Sequence, residues 1–171
     1  MKGYIQVYTG NGKGKTTAAL GLALRAAGAG LKVFIAQFMK GVNYSELKSL
    51  RKFEDSITVR QYGRKGFIDS EPEEADIKCA VNGLKEAKDV LISGEYNLVI
   101  LDEANLAVHF HLFPAGSLLD CINSKPDHTE LVITGRYADP FITDRADLVT
   151  EMVEVKHYYS RGIKARKGIE K

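Results

Sequence analysis

Tryptophan is absent from this chain of 171 residues, proline occurs 4 times and cysteine only twice. Cys79 and Cys121 lack the C-x-x-C spacing of a zinc site and are too few for a disulfide framework, so we expect both to be small core residues. No apolar run approaches the ~20 residues that a membrane-spanning helix needs, and the N-terminus lacks the layout of a signal peptide. These absences predict a soluble, cytoplasmic protein with no membrane partner.

Charge is nearly balanced, at a formal net +2, and 44% of the residues are apolar, which suffices for one buried core. We therefore expect a single domain over residues 1–171 and no nucleic-acid partner. The last sixteen residues nevertheless hold six basic side chains against the single acid Glu170. This basic tail can meet phosphate or carboxylate, or it can be a solvated terminus. The basic residues are Lys156, Arg161, Lys164, Arg166, Lys167 and Lys171.

Apolar periodicity predicts alternating strands and helices along the whole chain. Helices are expected over residues 16–30 and 71–93, the second with a capping box of Ser70 and Glu73. The strand 97–103 (NLVILDE) is continuously apolar, which indicates burial on both faces of a sheet. The pattern predicts an α/β fold, a mostly parallel sheet with helices on both faces. The other strands are expected at residues 4–8, 32–38, 57–62, 130–135 and 147–155.

Polar side chains follow most of these strands, and ligands of parallel sheets gather at the carboxyl ends of the strands. We expect these side chains to form one site. They are residues 11–17, Gln37, Lys40, Arg64, Lys65, Asp102, Glu103, Thr134 and Arg136, together with the aromatic Phe38 and Phe67.

The stretch YTGNGKGKTT (residues 8–17) lies between a predicted strand and a predicted helix, which is the context of a phosphate-binding loop. Glycine N–H groups and the helix N-terminus can bind phosphate oxygens, Lys15 can neutralise them, and the Thr16 hydroxyl can ligate Mg²⁺. The usual first glycine of such a loop is Thr9 here, although Gly10 and Gly12 keep the loop rich in glycine. The stretch predicts binding of nucleotide phosphates.

Asp102 and Glu103 end the apolar strand beside this loop and can serve a metal ion directly or by orienting its ligands, with helix capping as the alternative. His109 and His111 have the spacing of a strand and could hold a metal, but a third ligand is missing and a helix or loop is equally compatible. His157 could line a pocket or pack at the end of the chain. We expect the acidic side chains of EPEEAD (residues 71–76) to be helix first-turn charges.

Several segments together resemble the P-loop type ATP:corrinoid adenosyltransferases, which act in adenosylcobalamin synthesis and salvage. The resemblance covers nearly the whole chain and implies a P-loop NTPase-like (RecA-like) fold. It implies transfer of the 5′-deoxyadenosyl group of ATP to the Co(I) centre of a corrinoid, cobalamin or cobinamide, with triphosphate as the leaving group. The segments are TGNGKGKTTAALGLALRAAGAG, QFMKG, LVILDE, ELVITGR and ADLVTEM, followed by KH and GIKARKGIE.

The resemblance also implies roles for individual residues. Thr16 and Glu103 would hold Mg²⁺, or Mn²⁺ in its place, with Asp102 as a further candidate, and Arg136 would contact the phosphates. Lys13 and Lys15 would stabilise the leaving triphosphate, so Lys15, Thr16, Glu103 and Arg136 are the expected catalytic residues. The expected nucleotide contacts are Thr9, Gly10, Asn11, Gly12, Lys13, Gly14, Lys15, Thr16, Thr17, Gln37 and Arg136.

On the corrinoid side, relatives use a phenylalanine and a tryptophan to displace the lower axial ligand of cobalt; here Phe67 remains and no tryptophan exists. Phe38, Lys40 and Tyr62 are further candidates for corrinoid contact. Relatives also carry a polar N-terminal extension over the corrinoid, whereas this chain starts almost at the first strand, so the resemblance does not extend to how its site closes. An electron-donating reductase such as a flavoprotein and a homodimer are further implications of the resemblance.

Two other hypotheses remain open at this point. One is a nucleoside kinase or RecA-like ATPase, because both combine a phosphate-binding loop with an acidic strand end. The other is a nucleotide-dependent carrier that delivers a corrinoid without changing it.

Overall fold

The computed structural model describes residues 2–42, 44–64 and 71–170. In these ranges, six strands form one sheet in the order β3-β2-β4-β5-β1-β6, and all five neighbouring pairs are parallel. The fold is therefore α/β, as the sequence predicts. The strands are β1 (Ile5–Thr9), β2 (Val33–Phe38), β3 (Ile57–Tyr62), β4 (Leu98–Asp102), β5 (Glu130–Thr134) and β6 (Leu148–Glu151).

Within the described residues, six α-helices connect these strands. They are α1 (Lys15–Gly28), α2 (Ser45–Leu50), α3 (Glu74–Ser93), α4 (Ala104–His109), α5 (Ala115–Asn123) and α6 (Pro140–Arg145). Short 3-10 turns follow α2 at Arg51–Phe53 and lie after β6 at Tyr158–Arg161.

The helices cover the sheet on both faces, as expected. An apolar cluster lies between the sheet and the helices on each face. One face is covered by α1 and α2, whose Ala19, Ala23 and Leu50 pack against the odd-numbered residues of β2. The opposite face is covered by α3 to α6, which pack against the even-numbered residues of the same strand. All five residues of β4 are buried, which explains why that strand is apolar throughout.

Several predicted boundaries differ from the structure by a few residues, and the clearest cases are the last strand and the longest helix. The last strand ends at Glu151 rather than at residue 155, because the following residues turn across the loop after β1. Helix α3 begins at Glu74, and its capping box pairs Glu73 with Asp76 rather than Ser70 with Glu73. Ser70 itself lies outside the described residues. Of the acidic residues predicted to be first-turn charges, Glu74 and Asp76 lie in the first turn and Glu73 is the N-cap, whereas Glu71 precedes the helix.

Cys121 is fully buried and Cys79 packs at the edge of the core, which confirms the role expected for both. Across the described ranges, no helix is both long enough and apolar enough to cross a membrane.

Candidate functional site

Backbone strain is concentrated at the carboxyl edge of the sheet. Within the described ranges, four non-glycine residues have a positive φ, and three of them follow strands at this edge. Met39 (φ 58°) follows β2, Glu103 (φ 62°) follows β4, and Tyr137 (φ 58°) lies three residues after β5. Such conformations cost about 1–3 kcal/mol each and cluster at functional sites. The strain therefore points to the same edge that the polar loop residues indicate.

The glycine loop lies between β1 and α1 and is covered by the chain that follows β6. Gly10 has a φ of 89°, and a Cβ at this position would lie 2.4 Å from the carbonyl oxygen of Met152. The Gly12 N–H donates to that same oxygen at 2.7 Å. At the position of the usual first glycine, the Thr9 hydroxyl accepts a hydrogen bond from the Ala138 N–H at 3.3 Å. Thr9 thus ties the loop after β5 to the end of β1.

Lys15, the first residue of α1, is buried beneath this loop, with only 7% of its surface exposed. Its Nζ donates to the carbonyl oxygens of Gly10 at 2.7 Å and Gly12 at 2.8 Å. Burial lowers the pKa of Lys15, with a smaller opposing influence from Glu103. The ammonium group is therefore held inside the loop by the backbone of the loop itself.

Asp102, at the end of β4, joins the glycine loop to the neighbouring strands. Its Oδ1 accepts from the Thr16 hydroxyl at 2.9 Å and from the Thr134 hydroxyl at 2.8 Å. Its Oδ2 accepts from the Gln37 amide at 3.2 Å and from Lys40 Nζ at 2.7 Å. Four donors, from the ends of β2 and β5 and from α1, thus fix a carboxylate that is 1% exposed.

Gln37 is fully buried within this network. Its amide nitrogen donates to Asp102 and its amide oxygen accepts from Gln61 Nε2 at 3.1 Å. The side chain expected to contact the nucleotide therefore links β3, β2 and β4 instead. Sequence reasoning identified the strand ends correctly but could not show that their polar groups satisfy one another.

Glu103 follows Asp102 in the strained conformation described above, and its N–H donates to the Thr134 hydroxyl at 3.0 Å. Burial raises the pKa of Glu103, and the neighbouring Asp102 raises it further. Lys40, Lys15 and Arg136 act in the opposite direction, which places all three cations near this carboxylate.

The alternative role of the two carboxylates as helix caps is wrong. Helix α4 begins at Ala104 without a side-chain capping bond from Glu103, and the Asp102 carboxylate is engaged elsewhere. Arg136, two residues after β5, is exposed on the same edge. Helix capping therefore does not account for Glu103. Glu103 and Arg136 are charged groups on the same edge of the sheet as the loop.

The outer side of the loop contacts the C-terminal segment, which sequence reasoning did not foresee. The Asn11 Oδ1 accepts from the Glu154 N–H at 3.3 Å, and Lys13 Nζ pairs with the Glu170 carboxylate at 2.8 Å. Only the charge pattern of the basic tail hinted at such a contact. Thr17, by contrast, is exposed at the start of α1.

The residues expected on the corrinoid side lie differently from what the sequence suggested. Phe38 is fully buried, and its ring centroid lies 5.7 Å from that of Tyr62. Tyr62 is 8% exposed and packs so closely on α3 that a Cβ at Gly83 would lie 2.2 Å from its ring. Both rings belong to the core, so their expected place at a corrinoid surface finds no support. Lys40 is engaged by Asp102, and Phe67 lies outside the described residues.

His109 and His157 make contacts within the protein that fit a structural role. His109 is the last residue of α4 rather than part of a strand, and its ring centroid lies 4.2 Å from that of Tyr137. His157 accepts through Nδ1 from the Tyr159 N–H at 3.0 Å, within its own turn. In the part of the chain that the structure describes, no group of three or more histidine, cysteine or acidic residues could by itself hold a metal ion.

Comparison with known proteins agrees with this arrangement. The profile of the family described as ATP:corrinoid adenosyltransferase BtuR/CobO/CobP matches residues 1–170. The corrinoid adenosyltransferase of Pseudomonas aeruginosa is 36% identical over 170 residues, which cover 99% of this chain and 84% of that protein. Corrinoid adenosyltransferase CobA of Salmonella typhimurium is also 36% identical, over 99% of this chain and 86% of its own length. The chain therefore belongs to the ATP:corrinoid adenosyltransferase family.

Proposed function

We propose that this enzyme transfers the 5′-deoxyadenosyl group of ATP to the Co(I) centre of a reduced corrinoid, in adenosylcobalamin synthesis or salvage. The observation that carries the proposal is the connection from Thr16 through Asp102 to Thr134, which sets a phosphate-binding loop against two strand ends. The reaction is inferred from membership of the family. The hydrogen bonds from Thr16 to Asp102 and from Thr134 to Asp102 indicate where in this chain the reaction would take place.

In this proposal, residues 9–17 wrap the triphosphate of ATP. Backbone N–H groups of the glycines and of the first turn of α1 donate to phosphate oxygens. Lys15 exchanges its bonds to the Gly10 and Gly12 carbonyls for bonds to phosphate, since phosphate is the stronger acceptor for an ammonium group. Arg136 reaches the phosphates from the end of β5.

A magnesium ion, or manganese in its place, fits the donors beside the loop. Mg²⁺ takes one or two protein oxygens and completes its shell with substrate phosphates and water. The Thr16 hydroxyl and the Glu103 carboxylate are the oxygens we assign to it. Asp102 orients the Thr16 hydroxyl, because both of its own oxygens already accept two hydrogen bonds. When bound, the ion would help to neutralise the charge that develops on the triphosphate.

The proposed reaction requires stabilisation of a leaving group and does not require a nucleophile from the enzyme. An electron pair of Co(I) forms a bond to the ribose 5′-carbon, and the bond from that carbon to its phosphate oxygen breaks. The electron pair of the broken bond leaves with triphosphate, and cobalt becomes formally Co(III). Lys15, Arg136 and the loop N–H groups act where this negative charge accumulates, in a site fixed beforehand by the Asp102 network.

Supply of Co(I) requires a reductant, which we assign to a separate protein such as a flavoprotein. We also propose a homodimer and a cytoplasmic location.

On the corrinoid side, Phe67 stays our candidate for displacing the lower axial ligand of cobalt, because of the family resemblance. Phe67→Ala should then slow the reaction strongly when Co(II) is reduced on the enzyme and much less when Co(I) is supplied ready-made. Equal losses in the two assays would contradict that role.

Incubation with ATP, Mg²⁺ and borohydride-reduced cobalamin tests the central proposal. The absorption spectrum should change to that of adenosylcobalamin, with one triphosphate released for each cobalt–carbon bond formed. Release of ADP or orthophosphate would instead favour a kinase or an ATPase. Bound corrinoid that stays unchanged would favour a carrier. Lys15→Ala is the matched control, because it should retain the fold and lose the spectral change.

A further inference from the structure

The Glu170 carboxylate lies at the mouth of the phosphate-binding loop and is surrounded by donors. Its Oε1 accepts from Lys13 Nζ at 2.8 Å, from Arg166 Nη2 at 3.1 Å and from the Tyr158 hydroxyl. Its Oε2 accepts from the Arg166 N–H at 2.8 Å and from Arg166 Nε at 3.3 Å. Five donor contacts on one carboxylate form an anion-binding cluster, which we call the tail cluster: Lys13, Tyr158, Arg166 and Glu170.

The tail cluster joins opposite ends of the chain. Lys13 stands between Gly12 and Gly14 in the loop, whereas Glu170 is 157 positions further along. Lys13 Nζ and the Arg166 guanidinium also lie 5.7 Å and 5.0 Å from the centre of the Tyr158 ring. Hydrogen bonds from Arg166, Lys13 and Tyr158 hold the pKa of Glu170 far below its usual range, and the bond to Glu170 raises the pKa of Lys13. Both partners are therefore charged at neutral pH.

The donors on Glu170 are the kind that bind phosphate. An ammonium group, a guanidinium fork and a phenolic hydroxyl recognise carboxylate and phosphate oxygens alike. Lys13 belongs to the loop that we assign to the triphosphate of ATP, so the same ammonium group faces two possible anions. A carboxylate that stayed on Lys13 beside a bound triphosphate would lie next to like charge, which is unfavourable.

We propose that Glu170 competes with the triphosphate group for Lys13, so that the C-terminal turn of residues 166–170 undocks when triphosphate occupies the loop. This inference rests on the proposed function for the phosphate assignment of the loop. Arg166 and Glu170 lie in one turn, in which the Glu170 N–H donates to the Arg166 carbonyl at 3.0 Å, so they leave the loop together. Return of Glu170 to Lys13 then helps to release the triphosphate product.

The affinity for inorganic triphosphate in the presence of Mg²⁺, measured by calorimetry on the full chain, is the first test. Glu170→Gln should tighten binding about five-fold or more, the usual range for coupled binding events. Glu154→Gln is the matched control, because Glu154 is an exposed acid near the same loop and its contact to Asn11 uses only the backbone. In a Lys13→Met background, Glu170→Gln should no longer change the affinity.

Hydrogen exchange measured by mass spectrometry gives an independent test. Adding inorganic triphosphate should slow exchange in residues 10–17 and speed it in residues 158–170. Slower or unchanged exchange in residues 158–170, or weaker binding by Glu170→Gln, would overturn the inference while leaving the proposed function intact. Absence of any protection in residues 10–17 would overturn both. Adenosyl transfer is assayed separately, so its failure with normal triphosphate binding would count against the proposed function alone.

Discussion

The glycine loop carries two lysines, and the structure treats them in opposite ways. Lys15 is 7% exposed and bonds to backbone carbonyl oxygens of the loop itself. Lys13, two residues earlier, has a side chain that is 41% exposed and pairs with Glu170. The inner lysine is held by carbonyl oxygens of the loop itself, whereas the outer lysine is held by a carboxylate on a terminal turn. Both lysines change partners in order to bind phosphate, but only Lys13 has a partner on a segment that we propose leaves the loop.

The same contrast extends to the surroundings of each lysine. Beneath Lys15, the Asp102 carboxylate is saturated by two hydroxyls, an amide and an ammonium group, all of them largely withdrawn from water. Around Lys13, the partners are ionic groups near solvent, where salt bridges contribute little to stability. We therefore expect loss of Lys15 to affect catalysis and loss of a partner of Asp102 to affect stability. Changes on the outer side should affect mainly exchange of the ligand.

The largest effect is expected for Lys15→Ala. The lysine lies inside the loop, so its loss removes a charge aimed at the leaving triphosphate, and kcat/KM for ATP should fall at least ~100-fold. Lys13→Ala should reduce it much less, because that lysine binds phosphate only after releasing Glu170. Both values are measured with borohydride-reduced cobalamin, so that the reductase plays no part. Equal losses in the two variants would break the distinction between the inner and outer sides.

The second largest effect is expected on the free energy of unfolding, which should fall for a change on the inner side and not for one on the outer side. Lys40 Nζ lies 2.7 Å from Asp102 Oδ2, with side-chain exposures of 15% and 1%. Lys40→Met leaves a buried carboxylate without its cation and should lower the free energy of unfolding by about 3 kcal/mol. Lys13→Met, the matched change on the outer side, should leave it nearly unchanged. Urea unfolding of both variants without ligand is the measurement, and a Lys40→Met protein as stable as the parent would show that the Asp102 network tolerates the loss.

Much of the fold could be predicted from the sequence, because apolar periodicity directly reflects burial. The strand predicted at residues 97–103 is observed at Leu98–Asp102 with every residue buried, and the glycine loop does lie between a strand and a helix. The site was harder, since the position after a strand indicates an edge of the sheet but not the direction of a side chain. Phe38 lies at that edge and turns into the core.

Contacts between side chains far apart in the chain could not be predicted from the sequence. The polar groups of Gln37 and Lys40 meet one carboxylate more than sixty positions away, and Glu170 meets Lys13 across almost the whole chain. Neither contact has a local spacing that could reveal it. The charge pattern indicated that the tail could meet phosphate or carboxylate, and in the structure its Arg166 binds the carboxylate of the tail's own Glu170.

The smallest effect concerns Glu103, the inner carboxylate that accepts no hydrogen bond to its side chain among the described residues. Burial raises its pKa above the value in the unfolded chain, so the folded state binds the proton more tightly. Its contribution to stability is therefore fully present below the unfolded pKa of about 4.3 and is lost as pH rises through the folded pKa. At neutral pH, the ionised carboxylate should make the ligand-free protein less stable.

Glu103→Gln should consequently raise the Tm of the ligand-free protein at neutral pH by about 2 °C or more, since 1 kcal/mol shifts Tm by roughly 2–4 °C in a domain of this size. The gain should shrink as pH falls toward about 4, where the parent carboxyl is also neutral. Addition of ATP with Mg²⁺ should then stabilise the parent more than the variant, because the variant lacks an anionic metal ligand. Glu95→Gln, at an exposed position on the far end of the sheet, is the control and should change neither quantity. If Glu103→Gln instead lowered the Tm at neutral pH, the carboxylate would be a stabilising partner of the inner network rather than a charge kept ready for a metal ion.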